Sequence, residues 1–217
     1  TTATEETLKE LHGPSVLHIA THGFFLPDIT NVTADASKTG PDPWNANPLL
    51  RSGLALVGAN RRKSQTERED GVLTALEVSN LDLRGTQLVV LSACETGVGQ
   101  ALRGEGVYGL QRAMMIAGAQ TQVTSLWQVD DLATKNMMVK YYENLAQGAG
   151  RGEGMRLAQL SVRQAYAHPR YWASFVVTGN NASLDGKNLP PDPKNFQVLR
   201  GRTGCGCEMQ ASEGSEP

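Results

Sequence analysis

Short apolar runs alternate along this chain with segments of helical spacing, and this alternation limits the fold more than any other feature. The apolar runs predict strands at about 15–22, 88–93, 122–129 and 171–179. Each run is short and nearly continuous in apolar residues, which is typical of strands that are buried on both faces. The sequence therefore predicts an α/β fold with a mostly parallel sheet that helices flank on both faces.

Helix signals lie between these strands. Thr74 is placed to cap a short helix, Gly118 to end one, and Asp130 or Asp131 to begin a long one. Pro169 is placed to end the last of these helices. The predicted helices span 73–81, 107–117, about 131–146 and about 153–167.

The chain divides into one domain, 1–181, and a tail, 182–217, that is rich in Pro, Gly and polar residues. At 217 residues the chain can bury a sizeable core. Within the domain, 26–70 reads as a loop-rich insertion that holds a short strand at 52–58. Its charged run, 60–70, is typical of a solvated loop and less so of a recognition patch.

Charge and hydropathy exclude several classes of function. The net charge of -2 gives no electrostatic footprint for nucleic acid or for an anionic membrane surface. No apolar stretch approaches the roughly 18 residues of a membrane span, and no signal-peptide pattern opens the chain. We expect a cytoplasmic protein, and the start at Thr1 suggests a fragment or a processed form of something longer.

Three cysteines cannot form a complete disulfide framework. Cys205 and Cys207 form a C-x-C pair in the polar tail, where exposed thiols on a disordered segment are the simpler interpretation. A structural zinc site needs four ligands, and no matching pair exists elsewhere, so we expect no metal. Cys94, in contrast, follows an apolar run and precedes a glycine-bearing loop.

Candidate functional residues lie at the carboxyl ends of three of the predicted strands. His22 and Gly23 lie at the end of the first, Cys94 after the second, and Asp130 and Asp131 after the third. In open α/β sheets ligands bind outside the carboxyl ends of the strands, so these residues are expected to converge. A thiol, an imidazole and closely approaching backbone amides are the parts of a cysteine peptidase. A buried cysteine can also be an inert small hydrophobe.

Five stretches of the chain resemble the CHAT domain, a caspase-like peptidase module often attached to tetratricopeptide repeats. They are 17–23, 91–97, 104–106, 125–131 and 171–175, and the resemblance covers roughly residues 5 to 180. It implies the caspase-hemoglobinase fold, with His22 and Cys94 as a dyad and Gly23 in the oxyanion hole. The dyad mechanism requires no cofactor.

The segment 126–131 is also similar to one in separase, a related peptidase in which an aspartate pairs with an arginine before the cleaved bond. Asp131 is the closest match and Asp130 the second, with Trp127 nearby. The resemblance implies that these residues bind substrate and that a basic P1 residue is preferred. Helix capping is the competing role for one of the two aspartates.

These observations predict a cysteine endopeptidase domain of a larger signalling or defence protein, of bacterial type, that cleaves a specific protein partner. An upstream sensor or tetratricopeptide region is the expected partner within the full-length protein. The loop 97–106, which contains Arg103, is the expected gate of the site. The rival hypotheses are a catalytically silent interaction module of the same fold and a redox-sensing thiol domain.

Overall fold

A mixed sheet of six strands organises the computed structural model, which describes residues 3–25, 47–61, 70–93, 105–127 and 129–186. The strands are β1 (Val16–Phe25), β2 (Ser52–Ala55), β3 (Val72–Thr74), β4 (Leu88–Ala93), β5 (Thr121–Ser125) and β6 (Phe175–Gly179). The helices are α1 (Glu5–Lys9), α2 (Ala75–Val78), α3 (Glu105–Ala117), α4 (Asp131–Ala146) and α5 (Arg151–Ala165). Short 3₁₀ turns occupy Pro48–Leu50, Ala59–Arg61 and Pro169–Tyr171.

The strand order is β3-β2-β1-β4-β5-β6. The centre of the sheet is parallel, because β4 pairs in parallel with both β1 and β5. The outer strands β2, β3 and β6 pair antiparallel with their neighbours. The predicted α/β class, with a sheet that is parallel in its core, is confirmed.

Helices cover both faces of the sheet, as predicted, and each face has its own apolar core. Alternate residues of β4 point to opposite faces: Val89 and Leu91 pack with α1, α2 and α3, whereas Leu88 and Val90 pack with α4 and α5. Because successive side chains of β4 enter two different cores, this strand is apolar almost throughout. The same burial on both faces explains the nearly continuous apolar run in the sequence.

The first strand is longer than predicted. Residues 16–21 of β1 pair with β4, and His22 to Phe25 pair with β2 on the opposite edge. The expectation that the strand ends at about residue 22 is therefore wrong, and His22 and Gly23 lie within β1. The strand continues past its parallel partner because β2 supplies a second, antiparallel ladder, and this pairing is not visible in local sequence.

Other boundaries also differ from the predictions. The segment predicted as a helix at 73–81 contains part of β3 before the short helix α2. Thr74 caps that helix in a capping box with Glu77, in which each side chain accepts a hydrogen bond from the other residue's backbone N–H. Strand β5 ends at Ser125, four residues early, and β6 begins at Phe175 after a 3₁₀ turn. The apolar pattern extends beyond the strands without marking sheet pairing: Val129 is buried by packing and Trp172 is half-buried against the same core, whereas Leu126 is 39% exposed.

Candidate active site

His22 is an exposed residue on β1, opposite Ala55 of β2. The hydroxyl of the preceding residue, Thr21, donates a hydrogen bond to the Ala55 carbonyl and so joins the two strands beside the imidazole. This link lies at the point where β1 changes partner from β4 to β2. The backbone that carries His22 is therefore held from both edges.

Gly23 follows His22 on the strand, is buried, and lies opposite Leu54. Side chains at successive strand positions point to opposite faces, so a side chain at residue 23 would point away from the face that His22 occupies. The role of the Gly23 amide as an oxyanion donor stays a prediction.

Cys94 lies outside the described residues, as does most of the predicted gate at 97–106. The described part of β4 ends at Ala93, which is in register with Thr21 of β1. The residues that immediately precede Cys94 and His22 in the sequence are therefore neighbours in the central sheet.

A cavity of about 620 Å³ opens beside His22, between β1 and α4. Alternate residues of β1 form one wall of this trough and one side of α4 forms the other. The trough is defined by His18, Ala20, His22, Asp131, Lys135 and Tyr142. Helices α4 and α5 pack over β4, β5 and β6 but leave this strip of β1 exposed, so a space remains along it.

The two adjacent aspartates have different surroundings. The Asp130 carboxylate accepts a hydrogen bond from the Ala133 N–H at 2.9 Å and caps α4. Asp131 is the first residue of α4, is exposed, and lines the same trough as His22. Helix capping, one of the two roles predicted for this pair, thus falls on Asp130, whereas Asp131 shares the trough with His22. Substrate binding by either aspartate stays a prediction.

Trp127 is half-buried, and its indole Nε1–H donates to the Arg170 carbonyl at 3.1 Å. It is not among the residues that line the trough. The indole thus contacts the 3₁₀ turn before β6. Substrate binding by Trp127 stays a prediction.

His18 and Tyr142 close the end of the trough away from His22. The Tyr142 hydroxyl and the His18 Nδ1 lie 2.9 Å apart, and their ring centroids are 5.8 Å apart. Burial raises the pKa of Tyr142 to about 12, so the phenol keeps its proton at neutral pH. The imidazole of His18 is only partly covered, and this partial burial lowers its pKa, which favours the neutral imidazole. A histidine inside an apolar strand pattern is predicted to be a hydrogen-bonded core residue. His18 does share a hydrogen bond with Tyr142, but the residue is exposed in the trough and does not belong to the core.

Sequence analysis also missed Lys135 and Tyr142 as residues of this region. The signal was present as helical spacing, because Asp131, Lys135 and Tyr142 recur on one side of α4. It could be recognised only once β1 was known to lie opposite that side.

The described residues lack two features that would point to other kinds of function. No group of three or more His, Cys, Asp or Glu side chains is arranged to hold a metal ion there. In the same part of the chain, no helix is both long and apolar enough to cross a membrane.

Residues 1–180 match the family model of the CHAT domain. The chain is 36% identical over 192 residues to human tetratricopeptide repeat protein 28, a match that covers 83% of this chain and 8% of that protein. It is also 36% identical over 119 residues to the mouse protein of the same name, covering 52% of this chain and 5% of that protein. The chain thus spans less than a tenth of the length of these curated relatives. With its sheet parallel in the core and helices on both faces, the chain belongs to the CHAT domain family, whose general assignment is caspase-like.

Proposed function

We propose that this chain is a caspase-like cysteine endopeptidase domain that cleaves a protein partner through Cys94 and His22. One observation carries the proposal: His22 is exposed in a trough beside the central parallel strands, and Thr21 and Ala93 are in register. This register supports the proposal because His22 and Cys94 are the residues that come directly after Thr21 and Ala93. Membership of a caspase-like family supports the same roles.

The mechanism follows from the chemistry of the two groups. The Cys94 thiolate attacks the scissile carbonyl, and the amides of Gly23 and Cys94 stabilise the oxyanion that forms. His22 protonates the leaving amine, the C–N bond breaks, and a thioester joins the substrate to Cys94. Water then attacks the thioester carbonyl and releases the acid and the free thiol.

The preferred P1 residue in this proposal is basic. Asp131 lies in the same trough as His22, and Asp130, occupied with its capping bond, is less available to a ligand. A carboxylate pairs in bidentate geometry with a guanidinium, so arginine is the favoured side chain. The full-length protein is proposed to carry a tetratricopeptide region, as the names of the two relatives indicate for those proteins.

The test is covalent labelling by a peptide with an arginine at P1 and an electrophile in place of the scissile bond. We expect mass spectrometry to place the label on Cys94 in the wild-type chain. The His22→Ala variant should lose labelling by roughly a hundredfold or more, since general acid–base groups contribute about 10²–10⁴-fold.

Cys205→Ala is the matched control and should be labelled like the wild type. Labelling that His22→Ala leaves unchanged would support a reactive thiol without a peptidase dyad. No labelling of Cys94, in a chain whose circular dichroism shows it folded, would favour the catalytically silent interaction module.

A further inference from the structure

We infer that the trough selects a substrate segment with an acidic residue two positions from the basic residue and an apolar residue two positions further on. The inference deepens the proposed function and rests on it, because the basic side chain is the one assigned to Asp131. The juxtaposition behind it is Asp131, Lys135 and Val139 along one wall of a single cavity that begins at His22.

The spacing along α4 matches an extended peptide. Residues four apart on an α-helix rise about 6 Å along its axis. Alternate residues of a strand point to the same side and repeat at about 6.6 Å. An extended segment in the trough would therefore present every second side chain to successive turns of α4, at Asp131, Lys135 and Val139 in turn.

The charges along this wall are available for pairing. Among the described residues, neither Asp131 nor Lys135 forms an ion pair, although they lie one turn apart on the same helix. Both side chains are exposed and both line the cavity. Lys140 on the same helix differs, because it pairs with Glu143 at 2.7 Å and does not line the cavity. The trough therefore presents first a carboxylate and then an ammonium group. This order is complementary to a bound peptide that carries first a basic and then an acidic side chain.

Beyond Lys135 the trough becomes apolar. Val139 is 48% exposed, and Met138 and Ala20 lie beside it in the cavity. Burial of Val139 against an apolar side chain of a bound peptide would remove apolar surface from water and so favour binding. His18 and Tyr142 already share a hydrogen bond at the far end, so that end offers a ring surface more than an unpaired polar group.

The test measures binding to the full chain carrying Cys94→Ala, so that it does not depend on turnover. Fluorescein-labelled five-residue peptides carry arginine first, glutamate third and leucine fifth, or the same residues in reverse order. Matched peptides replace glutamate by lysine. We expect fluorescence anisotropy at low salt to give about fivefold tighter binding for the glutamate peptide in one of the two orders, as for an exposed ion pair of about 1 kcal/mol.

Lys135→Glu should invert this preference, and the control Lys140→Glu should keep it. Equal affinity for the glutamate and lysine peptides in both orders, or no measurable binding of any of them, overturns the inference. So does a preference that Lys135→Glu leaves unchanged. If the preference holds but the native chain shows no Cys94-dependent cleavage of the same sequences extended by several residues at both ends, the proposed peptidase function fails while the selectivity of the trough stands.

Discussion

Two neighbouring carboxylates show how far a residue's role depends on one hydrogen bond. Asp130 has extended backbone and accepts from the Ala133 N–H, whereas Asp131 begins the helix and lies in the trough with His22. The sequence predicted that one of the pair caps α4 and could not say which. The choice depends on which residue keeps extended backbone, and that is set where the chain turns from β5 into α4.

This division predicts different effects on stability. Asp130→Ala should lower the free energy of unfolding by about 1 kcal/mol, because the first turn of α4 loses its side-chain cap. Asp131→Ala loses only a favourable charge near the helix N-terminus and should cost about 0.3 kcal/mol. Urea denaturation followed by circular dichroism measures both. Equal losses would show that the capping bond contributes little.

At the scale of elements, the end of α3 depends on a glycine with left-handed backbone. Gly118 has a φ of 111°, and the N–H groups of Gly118 and Ala119 return to the carbonyls of Met115 and Met114 at 3.1 Å. The helix thereby stops at Ala117, and the chain turns directly into β5. The sequence predicted this stop correctly because the signal is local.

Gly118→Ala should destabilise the protein more than Gly85→Ala. Both residues have positive φ, so each alanine incurs a backbone cost of about 1–2 kcal/mol. A Cβ at Gly118 would lie 2.9 Å from the Arg84 backbone nitrogen, whereas a Cβ at Gly85 would meet nothing within 4 Å. We expect a difference of about 1 kcal/mol or more in thermal or urea unfolding. A larger loss for Gly85→Ala would contradict this explanation.

At the scale of the whole molecule, the central strand β4 joins two apolar cores. Leu88 is fully buried against α4 and α5, and Leu91 is 5% exposed against α1, α2 and α3. Neither core can lose its packing without loosening the strand that lines the other. The two cores should therefore unfold together.

Leu88→Ala and Leu91→Ala should each lower the free energy of unfolding by about 2–5 kcal/mol. In both variants, the urea transitions measured by circular dichroism and by tryptophan fluorescence should coincide, because one cooperative unit is unfolding. Trp172 packs against the Leu88 core, so in a background that carries Trp44→Phe and Trp127→Phe the fluorescence reports on that face, while helicity reports on both. Separate transitions would show that the two faces unfold independently.

The trough shows what local patterns could not provide. Asp131 and His22 were singled out by their types and positions, but Lys135 and Tyr142 read as ordinary helix residues. Their place in the trough depends on α4 lying beside β1, although 109 positions separate His22 from Asp131 in the sequence. Such a contact follows from the strand order, which single-chain periodicity does not encode.

The amino-acid sequence was enough to predict the α/β class, the Thr74 cap and the stop of α3 at Gly118. These follow from local chemistry: apolar period, capping oxygens and glycine's freedom at positive φ. Three other features emerge only in the folded chain: β1 runs past His22, Asp131 rather than Asp130 lies in the trough, and His18 is exposed there. These depend on which strand pairs with which and on the partial coverage of one sheet face, and both are long-range balances of burial and hydrogen bonding.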